Sequence, residues 1–187
     1  MKDILRFGVI LFIITAVAAA SLGYVNQITK GPIEEQTIIA NNEARRKILP
    51  LAESFNQLEI NVPEKYPIIT EAYEGIMNDN LVGYTLKTMP KGYGGIMEVT
   101  VGMDIEGNIT GVVVGNHNET PGLGAKSKDP EFTNHYRGKR ADMDILVIKS
   151  GNPKENEVSA ISGATVSSRA VTSGVNEAIR YFNENFK

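Results

Sequence analysis

GIMEVTVGMDIEGNITGVVVGNH, residues 95–117, places two β-rich runs on either side of a turn. Val, Ile and Thr recur in GIMEVTVGM (95–103) and in ITGVVVGNH (109–117), while DIEGN (104–108) supplies the acidic residue, glycine and asparagine of a reversal. That order predicts a hairpin. Upstream, LVGYTLKT (81–88) reads as a further strand, and downstream MDILVIK (143–149) as another. Between the hairpin and this last run lies a long connection, 116–140, which contains ETPGLGAKSKDPEF. Connections of that length inside a compact domain are usually functional. The chain closes on an amphipathic helix, with Val166, Ala170, Val171, Val175, Ala178, Ile179 and Phe182 at three- and four-residue steps. Gly174 costs that helix about 1 kcal/mol relative to alanine, which a packed face can offset. Together these elements predict an α+β fold with a mainly antiparallel sheet packed by helices.

The opposite end of the chain has a different character. FGVILFIITAVAAASLGYV (7–25) contains no charged residue. As a helix it would run about 28 Å, close to the ~30 Å hydrocarbon core of a bilayer. AVAAAS offers small-residue cleavage sites, yet the run outlasts the roughly 7–15 apolar residues of a secretory signal. We read it as an uncleaved signal-anchor. Lys2 and Arg6 precede it and only Lys30 follows closely, so the N-terminus is expected in the cytoplasm and the remainder outside, in a single-pass cell-membrane protein. NQITKGP (26–32) reads as the exit from the membrane, with Pro32 opening a helix. Ile33, Ile38, Ile39, Ala44, Ile48 and Leu49 share a face of that helix, and Pro50 ends it. Residues 51–68, with Pro63 and Pro67, read as irregular structure or short elements. The expected division is therefore 1–28 for N-terminus and span, 29–80 for a helical membrane-proximal connector, and 81–187 for the folded domain.

Composition removes several function classes. The formal charge of −3 over 187 residues argues against a nucleic-acid partner, which would call for a basic face. With no cysteine, disulfides, thiolate metal sites and cysteine nucleophiles are excluded together. His117 and His135 are the only histidines, so no metal site is expected. GLGAKS mimics the end of a phosphate-binding P-loop, but Ala125 separates Gly124 from Lys126. GYGG (92–95) lacks the third glycine of a dinucleotide fingerprint, and HNE (117–119) lacks the cysteine pair of a zinc deaminase.

Two segments remain. In NETPGLGAK (118–126), Pro121-Gly122 favours a tight turn with positive φ at the glycine, and Gly124 would let backbone approach a flat ligand. Read alone, this is equally an ordinary surface loop. In SGAT (162–165), Ser162 or Thr165 could simply cap the following helix. The same helix start also suits a phosphate, because its free N–H groups and dipole favour an anion.

SGATVSS (162–168) resembles the S/T-G-A-T-x-x-S/T signature of proteins that carry FMN covalently, as a phosphoester on the last threonine of the tetrad. With ETPGLG, a single N-terminal span and a short chain, the sequence is similar to the G subunits of the Rnf electron-transport complex. The C subunits of the sodium-translocating NADH:quinone oxidoreductase share both motifs on typically longer chains. Ser159 departs from the pattern, standing where many relatives have an acidic residue; Glu157 is a substitute for it.

The resemblance implies a cofactor, a site and partners. A magnesium-dependent flavin transferase would move FMN from FAD onto the hydroxyl of Thr165. Gly163 and Ala164 would be small so that the stretch can enter the transferase, and Ser162, Ser167 and Ser168 would hydrogen-bond the phosphate. The loop Glu119, Thr120, Pro121, Gly122, Leu123 and Gly124 would lie against the isoalloxazine, with Leu123 as its apolar contact. No residue would be catalytic by itself. The 81–187 domain would relay electrons among other membrane and redox subunits of a complex coupling ferredoxin and NAD to Na+ or H+ translocation, with lipid around its anchor. The alternatives are an anchored extracytoplasmic binding or sensory domain that holds a ligand reversibly, and an FMN-bearing subunit of the quinone-linked complex or another reductase.

Overall fold

The computed structural model describes residues 2–60 and 64–187, so Met1 and Pro63 lie outside the described residues. The chain divides into two compact units, Met1–Asn42 and Glu43–Lys187. The first is helical, the larger part of α1 (Lys2–Ile48). Its apolar window has a mean hydropathy of 2.2 with none of it buried, long and apolar enough to cross a membrane. Pro32 lies inside α1 rather than at the start of a second helix. The fixed φ of proline is helical, and what is lost is the hydrogen bond its missing N–H would have donated. Pro50 follows the end of α1 as expected.

The second unit is built on a five-stranded antiparallel meander in the order β1-β2-β3-β4-β5. Its strands are β1 (Ser54–Leu58), β2 (Ile69–Met77), β3 (Asn80–Thr88), β4 (Val99–Asp104) and β5 (Ile109–Val114). The β4–β5 hairpin turns at Asp104, whose carboxylate accepts hydrogen bonds from the backbone and side-chain N–H groups of Asn108. The region 29–80, expected to be helical, is helix only as far as Ile48; β1 falls among the short elements expected over 51–68, and it and β2 belong to this sheet. Residues 95–98, expected within the strand, instead return from a tight tip, and β4 begins at Val99. A short parallel pair, β6 (Leu146–Ile148) and β7 (Glu157–Ser159), stands apart. The long connection carries one helical turn, α2 (Pro130–Thr133), flanked by 3-10 turns at Gly124–Lys128 and Asn134–Tyr136.

One face of the sheet is apolar. Leu86, Val99, Val101, Met103 and Ile109 form a common core with Val171, Val175, Ala178, Ile179 and Phe182 of α3 (Thr165–Asn185). Gly174 permits that packing, since a Cβ there would lie 2.5 Å from Thr88 Oγ1. Val166, expected on the same apolar stripe, is instead exposed.

The other face is crossed by a groove of glycines, one on each of four strands: Gly75, Gly83, Gly102 and Gly111. Ile48 and Leu49 fill it; a Cβ at Gly102 or Gly111 would come within 3.1 Å of Ile48, and one at Gly83 within 3.0 Å of Leu49. Beside the groove, Arg45 pairs with Glu71, and Lys87 lies 3.4 Å from Glu71 and 3.5 Å from Glu98. The Arg45 guanidinium also sits 3.6 Å over the Tyr73 ring. Buried charges of this kind persist only when paired.

Candidate functional site

The two motifs fold into turns of one design. In Thr120-Pro121-Gly122-Leu123, the Leu123 N–H donates to the Thr120 carbonyl at 3.2 Å and Gly122 takes φ +76°. In Ile161-Ser162-Gly163-Ala164, the Ala164 N–H donates to the Ile161 carbonyl at 2.9 Å and Gly163 takes φ +75°. Both are type II turns, whose third position favours glycine. The positive φ expected at Gly122 is present. Gly163 has a conformational reason for its small size beside the one inferred from the resemblance, and a Cβ there would lie 3.1 Å from Leu123.

The turns meet at a cavity of about 590 Å³, within the ~300–1,000 Å³ typical of small-molecule sites. Glu119, Thr120, Leu123 and Gly124 line it from the first motif, and Gly163, Ala164, Thr165 and Ser167 from the second. Pro121, Gly122, Ser162 and Ser168 are not among its lining residues. Two others that sequence reasoning missed complete the wall: Tyr93 and Val166. Tyr93 belongs to the GYGG tip, which in the sequence offers only an incomplete dinucleotide motif, and the helical period of Val166 points it to the core.

The hydroxyls separate into two kinds. Ser168 is fully buried; its Oγ accepts from the Ile161 N–H at 3.0 Å and donates to the Ala164 carbonyl at 3.0 Å, pinning the turn. Ser167 is buried and donates to the Glu119 carboxylate. Two of the three hydroxyls expected to meet a phosphate, Ser167 and Ser168, are therefore already committed to the protein. Ser162 is exposed and lines a neighbouring cavity of about 310 Å³ with Ser159, Lys126 and His135. Glu157 accepts from the Lys154 N–H at 3.0 Å and is not among the residues lining either cavity. Thr165 is the first residue of α3, half-buried, and neither it nor Ser162 caps the helix: Ala164 is the N-cap and makes no side-chain cap bond. Among the described residues no N-cap side chain accepts from the first N–H groups of α3 at the cavity, the arrangement that favours an anion.

Glu119 is the other organising group. It is 5% exposed, and its Oε1 accepts from the Gly94 N–H at 2.9 Å while Oε2 accepts from Ser167. Its own N–H donates to His117 Nδ1 at 3.2 Å. Glycines crowd this carboxylate. A Cβ at Gly92 or Gly124 would overlap it, and at Gly124 would also lie 2.5 Å from Ser167 Oγ. Glu119 thus gives Gly124 a packing reason for its small size beside the close approach of a flat ligand expected there, and Gly124 lines the cavity. The site offers an anion-receptive helix start, the Thr165 hydroxyl beside it, and apolar walls from Leu123, Val166 and Tyr93. Those features fit a phosphate joined to a planar ring system.

Comparison with known proteins agrees with this geometry. The FMN-binding domain family matches residues 92–180, and the RnfG N-terminal region matches residues 1–47. The chain is 41% identical to the G subunit of the Na+-translocating ferredoxin:NAD+ oxidoreductase complex of Acetobacterium woodii, covering 97% of this chain and 92% of that one. It is 30% identical to the proton-translocating counterpart of Clostridium ljungdahlii over 83% of this chain and 78% of the relative. Its fold matches the crystal structure of Shewanella oneidensis NqrC with a TM-score of 0.59 at 17% identity, over 79% of this chain and 98% of that one.

Proposed function

Because the chain belongs to the G-subunit family of ion-translocating ferredoxin:NAD+ oxidoreductase (Rnf) complexes, with an FMN-binding domain over residues 92–180, we propose that it carries FMN covalently on Thr165 and relays electrons within such a complex. The observation that carries this reading is the meeting of both motifs at one cavity, with Thr165 on the uncapped start of α3. When bound, the flavin supplies the redox chemistry, and the protein supplies position and tuning.

The chain's residues divide the task. The Thr165 hydroxyl accepts the FMN phosphoryl group from FAD on a separate flavin transferase, and AMP leaves. The N–H groups at the start of α3 would hold the phosphate. Leu123 and Val166 shelter the ring. Ser168 holds the acceptor turn in shape, and Glu119 ties Ser167 to the Gly94 N–H. Attachment has a physical logic outside the membrane, where free FMN is scarce. A reversible site of micromolar Kd, worth about −8 kcal/mol, would stand mostly empty there.

Lys2 and Arg6 ahead of the apolar run favour a cytoplasmic N-terminus and an extracytoplasmic flavin domain. The complex would couple electron flow between ferredoxin and NAD to the movement of Na+ or H+, through partner subunits with redox centres of their own. The test is the intact mass of protein purified from its own host. It should exceed the sequence mass by FMN less one water, the denatured band should fluoresce, and Thr165→Ala should lose both signals. A colourless wild type would sink the carrier reading and favour a reversible binder.

A further inference from the structure

We propose that Tyr93, held in place through Glu119, covers the ring of the attached FMN as the third wall of the cavity; this rests on the carrier reading above. Tyr93 is 74% exposed although the backbone beneath it is fixed. Lys91 bridges Ile96, the Gly92 N–H donates to the Gly95 carbonyl at 2.7 Å, and the Gly94 N–H donates to Glu119 Oε1 at 2.9 Å. A firmly anchored tip that holds a large aromatic side chain over a cavity is a surface prepared for a planar partner.

The tip is also built so that Tyr93 alone can serve. At Gly94 a Cβ would overlap the Asn118 carbonyl, and at Gly92 it would overlap Glu119 and lie 2.6 Å from Met97 Sδ. The tip is thus seated backbone to backbone on Asn118 and Glu119, where the ETPGLG loop begins, and the one side chain between Gly92 and Gly95 is the tyrosine lining the cavity. Glu119 joins this tip to Ser167, two residues beyond Thr165. One buried carboxylate therefore sets the spacing between the attachment point and the aromatic wall. Glu119 acts as a positioning residue, through the hydrogen bonds it accepts.

The test uses the full chain matured by its flavin transferase, with FMN on Thr165 verified by mass, and reads the fluorescence lifetime of the attached flavin. A phenol in contact with a flavin quenches it by transient electron donation that is at once reversed, and a benzene ring does not. Tyr93→Phe should lengthen the lifetime several-fold with the absorption bands in place. Tyr93→Ala should lengthen it as much, shift the bands and open the flavin to quenching by iodide. Ile96→Ala, exposed on the same tip but outside the cavity lining, should do nothing. Glu119→Ala should behave like Tyr93→Ala, and Glu119→Gln, which keeps an acceptor for the Gly94 N–H, should restore the wild-type lifetime. A flavin-bearing wild type whose lifetime is unmoved by Tyr93→Phe overturns this proposal alone. A wild type without flavin overturns the carrier reading and this proposal with it.

Discussion

Replacing Ser168 and Thr165 separately by alanine distinguishes the hydroxyl that shapes the Ile161–Ala164 turn from the one proposed to react. Ser168→Ala removes two hydrogen bonds, the one accepted from the Ile161 N–H and the one donated to the Ala164 carbonyl, both 3.0 Å. The Ile161 N–H is then left without a partner where the side chain of Ser168 was fully buried. An orphaned buried group costs about 1–3 kcal/mol, and the better helix propensity of alanine returns about 0.5 kcal/mol. The net loss is about 0.5–2.5 kcal/mol. At roughly 2–4 °C per kcal/mol for a domain of this size, Tm falls by about 1–10 °C. Thr165→Ala breaks no cap bond and should stay within about 0.5 kcal/mol of wild type. Thermal unfolding of unlabelled protein in detergent reads stability, and the mass of protein matured with the transferase reads attachment. We expect Ser168→Ala to melt early and label poorly, and Thr165→Ala to melt normally and not label at all. If Thr165→Ala melted as early as Ser168→Ala, or Ser168→Ala matched wild type in both assays, the division of roles would be wrong.

Gly124→Ala should destabilise by about 1–3 kcal/mol through overpacking, because its Cβ would press on Glu119 and Ser167; a wild-type denaturation midpoint would count against the crowding. Gly122→Val meets no atom but forces a branched residue to φ +76°; attachment should survive while the flavin spectrum or electron-transfer rate changes. Burial, reinforced by the hydrogen bond to Glu184, pushes the Tyr66 phenol up to about 12. The folded state therefore holds this proton more tightly than the unfolded chain, whose tyrosine titrates near 10. Its contribution is complete below pH 10 and lost as pH rises towards 12, so denaturation midpoints between pH 8 and pH 11 should fall less steeply in Tyr66→Phe. A cysteine at exposed Lys154 should react with an impermeant thiol reagent in intact cells, and protection there would reverse the proposed topology.

What the sequence revealed depended on how local each cause was. The β4–β5 hairpin was legible because a turn of Asp104, Gly107 and Asn108 joins two β-branched runs, and α3 because its apolar positions keep a helical period over several turns. β2 was hidden by register shifts at Ile69/Glu71 and Gly75/Ile76 and by polar side chains such as Glu71. Those make sense only once Arg45 and Lys87 are folded against them. The Ser162–Thr165 tetrad and the Pro121-Gly122 turn could be read because each is a contiguous run with its own backbone demands. Nothing local links Gly94 to Glu119 or Glu119 to Ser167, which lie 25 and 48 positions apart. The purpose of GYGG, of Gly124 and of the buried Ser167 was therefore invisible until the chain closed on itself.

The glycine groove bears on the order in which the protein can be made and unmade. Ile48 and Leu49 leave the ribosome before any strand of the sheet, so the ridge that fills the groove exists before the groove does. Each of β2 to β5 can then add against a template already in place, with a glycine left bare at the point of contact. The converse holds for degradation. A protease that severed the chain between Leu49 and Ser54 would cut no strand, yet it would detach the ridge and leave a slot across four strands open to water. The short segment after α1 is therefore where the flavin domain is most economically dismantled.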